Sequence, residues 1–172
     1  PDRKAKEAAV VELQGPGPER HPGGSHRRSV RKVLKADKAL SERFIQVRYP
    51  DPIQWRDGHL AYAREMNAIS VEGTPQGFAE AFRRHQVAWD TYAAFLAPVP
   101  AARLGVLLEG GAAGRPEDAA LVEQARALDE DISSTWDAVE TEARAAGAGR
   151  KHSQREPPAP VGSPHKLLGT RR

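Results

Sequence analysis

At 172 residues the chain has the length of about one ordinary domain. It has no cysteine, and 26 Lys+Arg against 23 Asp+Glu leave a net charge of +3. A disulfide framework, a zinc–thiolate site and a cysteine nucleophile are thereby excluded, and no apolar run approaches the roughly 20 residues that span a bilayer.

The charge is unevenly spread. Residues 1–35 hold nine Lys/Arg and four acids, residues 36–146 eleven and 18, and residues 147–172 six and one, giving +5, −7 and +5. All ten aromatic residues fall between Phe44 and Trp136, whereas the first 28 and the last 26 residues each hold eight Pro or Gly. Aromatic burial rewards folding and Pro/Gly density opposes regular structure. The expected organisation is a disordered basic N-terminal arm (1–28), a helical domain (29–147) and a disordered Pro-rich basic C-terminal tail (148–172). The chain begins at Pro1, which reads as a processed or partial sequence. Its compartment is unknown from sequence: soluble, and either cytoplasmic or exported after removal of a leader.

Helix one is expected from Ser29, as N-cap, to about Val47, with Val30, Val33, Leu40, Phe44 and Val47 on one face. Tyr49-Pro50-Asp51-Pro52 stops it. Helix two opens with Asp51 as N-cap, Pro52 at the first helical position and Gln54 at capping-box spacing. Trp55, His59, Tyr62, Met66 and Ile69 then recur at steps of four and three, and Glu72-Gly73 ends it. Helix three shows the clearest periodicity: Thr74 caps, Pro75 opens, and Phe78, Phe82, His85, Trp89, Tyr92 and Leu96 repeat at steps of four and three. Residues 101–109 offer one or two further turns, and Gly110-Gly111-Ala112-Ala113-Gly114 forms a flexible joint. Helix four opens at Pro116 with Glu117 and Asp118 in its first turn, where the dipole favours anions. It runs to about Ala146, with a break at Ser133-Ser134 as the alternative.

The fold class expected is all-α: a small three- or four-helix bundle built on an antiparallel hairpin of helices two and three. Its core seam comprises Trp55, His59, Tyr62, Phe78, Phe82, His85, Trp89 and Tyr92. Many other seam positions are Ala, so the core is thin, and self-association through helix four would help to cover it.

Few constellations carry chemistry. His59 and His85 are about equally far from the hairpin turn and could approach one another. Two ligands are too few for a closed metal site, however, and the Glu-x-x-His spacing of di-iron bundles is missing. Asp129-Glu130-Asp131 reads as a solvated face, because adjacent acids on a helix point in different directions. The glycine clusters lack the Lys-Ser/Thr of a phosphate loop, and no serine has a nucleophile-elbow context. No catalytic residue, metal ligand or cofactor is expected. Arg27, Arg28, Arg31, Lys32 and Lys35 at the start of helix one, with Arg150 and Lys151 in the tail, are the candidate anion contacts.

The leading expectation is therefore a non-catalytic helical interaction or scaffold module that works on a protein partner or a second copy of itself. The alternative is an electrostatic binder of nucleic acid or anionic membrane surfaces. A metal- or haem-binding bundle comes third.

Overall fold

The computed structural model describes residues 22–108 and 116–148. Within them the chain is all-α, with five helices in the order α1 (Pro22–Phe44), α2 (Pro52–Met66), α3 (Gln76–Leu96), α4 (Ala101–Leu108) and α5 (Pro116–Ala145), and with no strand. The number exceeds the three or four expected because residues 101–108 form a helix of their own. The rest of the two basic ends lies outside the described residues.

Helix α1 starts at Pro22 rather than Ser29 and stops at Phe44 rather than Val47. Proline fits a first helical turn, since its missing N–H has no intrahelical partner to lose. Gly23 and Gly24 together disfavour helix by about 2 kcal/mol. Burial of Val30 and Val33 anchors the helix further on, and there the packing of an apolar stripe outweighs local propensity. At the other end, the Ile45 and Gln46 amides both donate to the Ser41 carbonyl. The chain then turns back, and the Tyr49 hydroxyl donates to the Phe44 carbonyl at 2.7 Å. The Tyr49 ring lies directly over Gly58 of α2. Helix α2 thus keeps a glycine in its interior because the ring occupies the space a Cβ would need.

The α2 N-terminus follows its sequence signals. Asp51 is extended and its carboxylate accepts from the Ile53 and Gln54 amides, both at 2.9 Å, ahead of Pro52. The helix ends at Met66, well before Glu72-Gly73. In the connection to α3, Gly73 sits at φ 72°, the left-handed region that favours glycine. Thr74 does not cap α3: its hydroxyl donates to the Val71 carbonyl at 2.6 Å, and Pro75 precedes the helix with no side-chain cap. A negative charge at that terminus comes from α5. A Cβ built on Gly77 would lie 2.5 Å from a Glu142 carboxylate oxygen, so Glu142 approaches the first turn of α3 through the space glycine leaves free.

Tyr62 meets Trp89 and His59 meets Tyr92, so α2 and α3 run antiparallel. Helix α5 packs along the other side of α3 and is continuous through Ser133-Ser134. Helix α1 packs on α2, while α4 bridges α2 and α5. The Arg103 guanidinium fixes α4 to the start of α5. It donates to the Asp118 carboxylate at 3.0 Å and to the Glu117 carbonyl at 2.7 Å. Phe78, Phe82, Tyr92, Leu96, Met66 and Val139 fill the centre. Among the described residues, no helix is long and apolar enough to cross a membrane.

Replacing Gly58 by Ala displaces the Tyr49 ring, an overpacking cost of about 1–3 kcal/mol, against a gain of about 1 kcal/mol in helix propensity. Chemical denaturation should show Gly58→Ala to be destabilising in the native sequence. In a Tyr49→Ala background the same substitution should become stabilising, and a loss of equal size in both backgrounds contradicts this account.

Candidate functional site

The polar groups of the α3 seam are arranged around Trp89. Its indole N–H can only donate, and it reaches His85 Nε2 at 3.2 Å. Nε2 is therefore the acceptor, which leaves the proton on Nδ1. Nδ1 donates to the Thr135 hydroxyl at 3.0 Å, and that hydroxyl donates onward to the Asp131 and Ile132 carbonyls at 2.9 and 3.0 Å. The result is a directed chain from α3 into the α5 backbone. On the other side, the Tyr62 ring lies edge-on to Trp89 at 4.5 Å, and its hydroxyl donates to the buried Asp37 carboxylate of α1 at 2.6 Å. One aromatic side chain thus sits between a polar tie to α5 and a polar tie to α1.

His59 lies one helical turn beyond Trp55, and its Nδ1 donates to the Trp55 carbonyl at 2.8 Å. Burial holds its imidazole well below the ordinary histidine range, at about 4, and the hydrogen bond opposes this only partly. His59 is thus a neutral, packed ring. Trp89 has ring contacts with both His59 and His85, at 6.1 and 6.4 Å between centroids. The two histidines flank an indole, and each Nδ1 is committed to an oxygen. No group of three or more His, Asp or Glu side chains among the described residues is disposed to hold a metal ion. Tyr92 is buried, and its hydroxyl has no hydrogen-bond partner among the described residues. Burial, with the negative field of Asp129 added, pushes the Tyr92 phenol above the ordinary tyrosine range.

The seam residues Phe78, Phe82, His85, Trp89 and Tyr92 of α3 and His59 and Tyr62 of α2 are all buried, and Trp55 is half-buried. Arg27, Arg28, Arg31, Lys32 and Lys35 all lie on α1 and are exposed. None of the five is in an ion pair with another described residue, whereas Lys38 pairs with Glu42 at 2.9 Å. Arg150 and Lys151 lie outside the described residues.

Sequence reasoning missed two features. Asp37 falls on the apolar face of α1, between Val33 and Phe44, and a polar residue at a seam position was the available signal. Val87 is 62% exposed on the outer face of α3. Its departure from the Phe78–Leu96 spacing marks it as an apolar residue facing away from the core. Comparison with protein-family models, with curated proteins and with solved structures finds no match.

Two measurements check the buried groups. An unfolded imidazole protonates near pH 6.5 and His59 in the folded chain only near 4, so between these values the unfolded state binds more protons. The stability contributed by keeping His59 neutral is complete above pH 6.5 and is lost as the pH falls to about 4, on the order of 3 kcal/mol. His59→Gln should flatten the loss in that window, and an unchanged pH profile contradicts the assignment. Tyr92→Phe removes an unsatisfied buried hydroxyl and should leave stability equal or raise it by about 1 kcal/mol; a loss of more than that would reveal a partner for the hydroxyl.

Proposed function

We propose that the chain is a non-catalytic helical interaction module: a small bundle built on the α2–α3 hairpin that docks on a phosphate-bearing polyanion through the basic face of α1. The observation that carries this reading is the set Arg27, Arg28, Arg31, Lys32 and Lys35, exposed on a single helix and free of acidic partners among the described residues. Arg27, Arg31 and Lys35 follow one another at steps of four, as do Arg28 and Lys32, so two rows of cations run along the helix. The apolar side of α1 is occupied, since Val30 and Val33 are buried. Attraction would therefore be electrostatic, without insertion of the helix into a lipid phase. The buried hydrogen bonds support a binding role over catalysis at the α2–α3 seam, because His59, His85 and Asp37 are spent on internal partners. The basic residues at both ends, Arg150 and Lys151 among them, would add to the same attraction.

The test is binding of the full chain to duplex DNA and to anionic vesicles over a salt series. Each phosphate contact on a duplex contributes about 0.9 to the slope of log affinity against log salt. Changing the five α1 residues to Gln should lower the magnitude of that slope by about 4.5 while the helical circular dichroism is retained. A slope unchanged by the five substitutions contradicts the reading, and loss confined to vesicles would place the anion on a lipid surface.

A further inference from the structure

The outer face of α3 carries an exposed stripe of mixed charge around one apolar residue. Glu80, Arg83, Arg84, Val87, Asp90, Thr91 and Ala94 are all exposed. At 100° per residue every one of them falls within about 60° of Val87, so they form one stripe with coiled-coil-like spacing. Val87 stands at its midpoint, 62% exposed. Beside it a shallow, mainly apolar groove of about 370 Å³ runs between α3 and α5, lined by Arg83, Arg84, Val87, Ala88, Asp131 and Thr135. Neither Arg83 nor Arg84 is in an ion pair among the described residues. The Asp90 carboxylate is steadied from one side by the Asn67 amide, which donates to it at 2.6 Å.

We propose that this stripe is the contact between two copies of the chain, with the α3 helices antiparallel about a two-fold axis through Val87. The charge order selects both occupant and direction. Arg83 and Asp90 lie four residues before and three after Val87, and both fall on the same edge of the stripe, at about 40° and 60° to one side of Val87. An antiparallel two-fold therefore places Arg83 of each copy opposite Asp90 of the other, twice, while the two Val87 side chains meet on the axis. A parallel arrangement would set Arg83 of each copy against Arg84 of the other with no acid opposite either, which like-charge repulsion disfavours. A stripe with one central Val and a mostly polar remainder belongs to the weak, transient class of interfaces, so the association is expected at micromolar concentrations or above. This surface lies on α3, whereas the sequence placed self-association on the helix that is α5, and it is independent of the basic face of α1.

Sedimentation equilibrium of the full chain from micromolar to millimolar concentration tests the proposal. A monomer–dimer equilibrium is expected, and Val87→Glu should weaken it by about tenfold or more. Arg83→Asp alone and Asp90→Arg alone should each be largely monomeric, since each homodimer then carries two like-charge oppositions. An equimolar mixture of these two variants should dimerise again, because a chain with acids at both positions then faces a chain with bases at both across the axis. Helical circular dichroism of each variant verifies folding, and the restored mixture cannot come from misfolded chains. A wild type that stays monomeric at millimolar concentration overturns the proposal. So does a dimer indifferent to Val87→Glu, or a mixture no more associated than its components. Retained duplex binding by a monomeric Val87→Glu variant would separate this result from the α1 reading.

Discussion

The structure depends on the packing of one indole. Trp89 is the residue at which α2, α3 and α5 come together. Its ring lies edge-on to Tyr62 and its N–H begins the hydrogen-bond chain through His85 to Thr135. A thin, alanine-rich core gains specificity from such a chain, because each polar group has a direction that alternative packings would leave unsatisfied. The Tyr62–Asp37 bond extends the same logic to α1, whose apolar contribution is small. Burial of the aromatic seam is a large part of the driving force, and the hydrogen bonds decide which arrangement of the helices receives it.

That economy shapes what the molecule can do. The side chains with the greatest chemical versatility, His59, His85 and Asp37, are oriented inward and engaged. Tyr92 is the exception, with a buried hydroxyl that has no described partner. The chemistry left for the surface is charge and a little apolar area: cations on α1, acids on α5, and the stripe around Val87 on α3. On the proposed reading such surfaces recognise by complementarity and by long-range attraction, which act on encounter and orientation. Surface ion pairs such as Lys38–Glu42 and Arg126–Glu123 add little stability; the buried end of the Arg103–Asp118 pair gives it more structural weight, since it fastens the short α4 to the first turn of α5.

The α2 start and the α3 seam were legible in the sequence for a simple physical reason. Asp51-Pro52 is a capping signal with a local mechanism, and Phe78, Phe82, His85, Trp89, Tyr92 and Leu96 repeat at a period that only a helix can bury on one side. Features decided by tertiary partners were not legible. Pro22-Gly23-Gly24 reads as non-helical until Val30 and Val33 anchor the helix that contains it. Thr74 has the chemistry of a cap, yet its hydroxyl finds the Val71 carbonyl while Glu142 approaches from another helix. Spacing from the turn set His59 and His85 level with one another, whereas the observed register sets His59 level with Tyr92 and puts Trp89 between the two rings, because periodicity counts faces and not partners. Asp37 was hidden for the same reason, since its partner Tyr62 lies on a different helix. Gly58 costs α2 helix propensity, and its reason is tertiary too, since nothing in the sequence places the Tyr49 ring above it.

The claim on which this account rests is the directed chain Trp89 to His85 to Thr135. Nitrogen NMR of the Trp89 indole and the His85 ring in the full chain at neutral pH tests it most directly. The account predicts a His85 ring protonated at Nδ1 with Nε2 bare, together with an indole N–H that exchanges with solvent only when the fold opens. A proton found on Nε2, or a Trp89 N–H that exchanges as fast as an exposed indole, would contradict it.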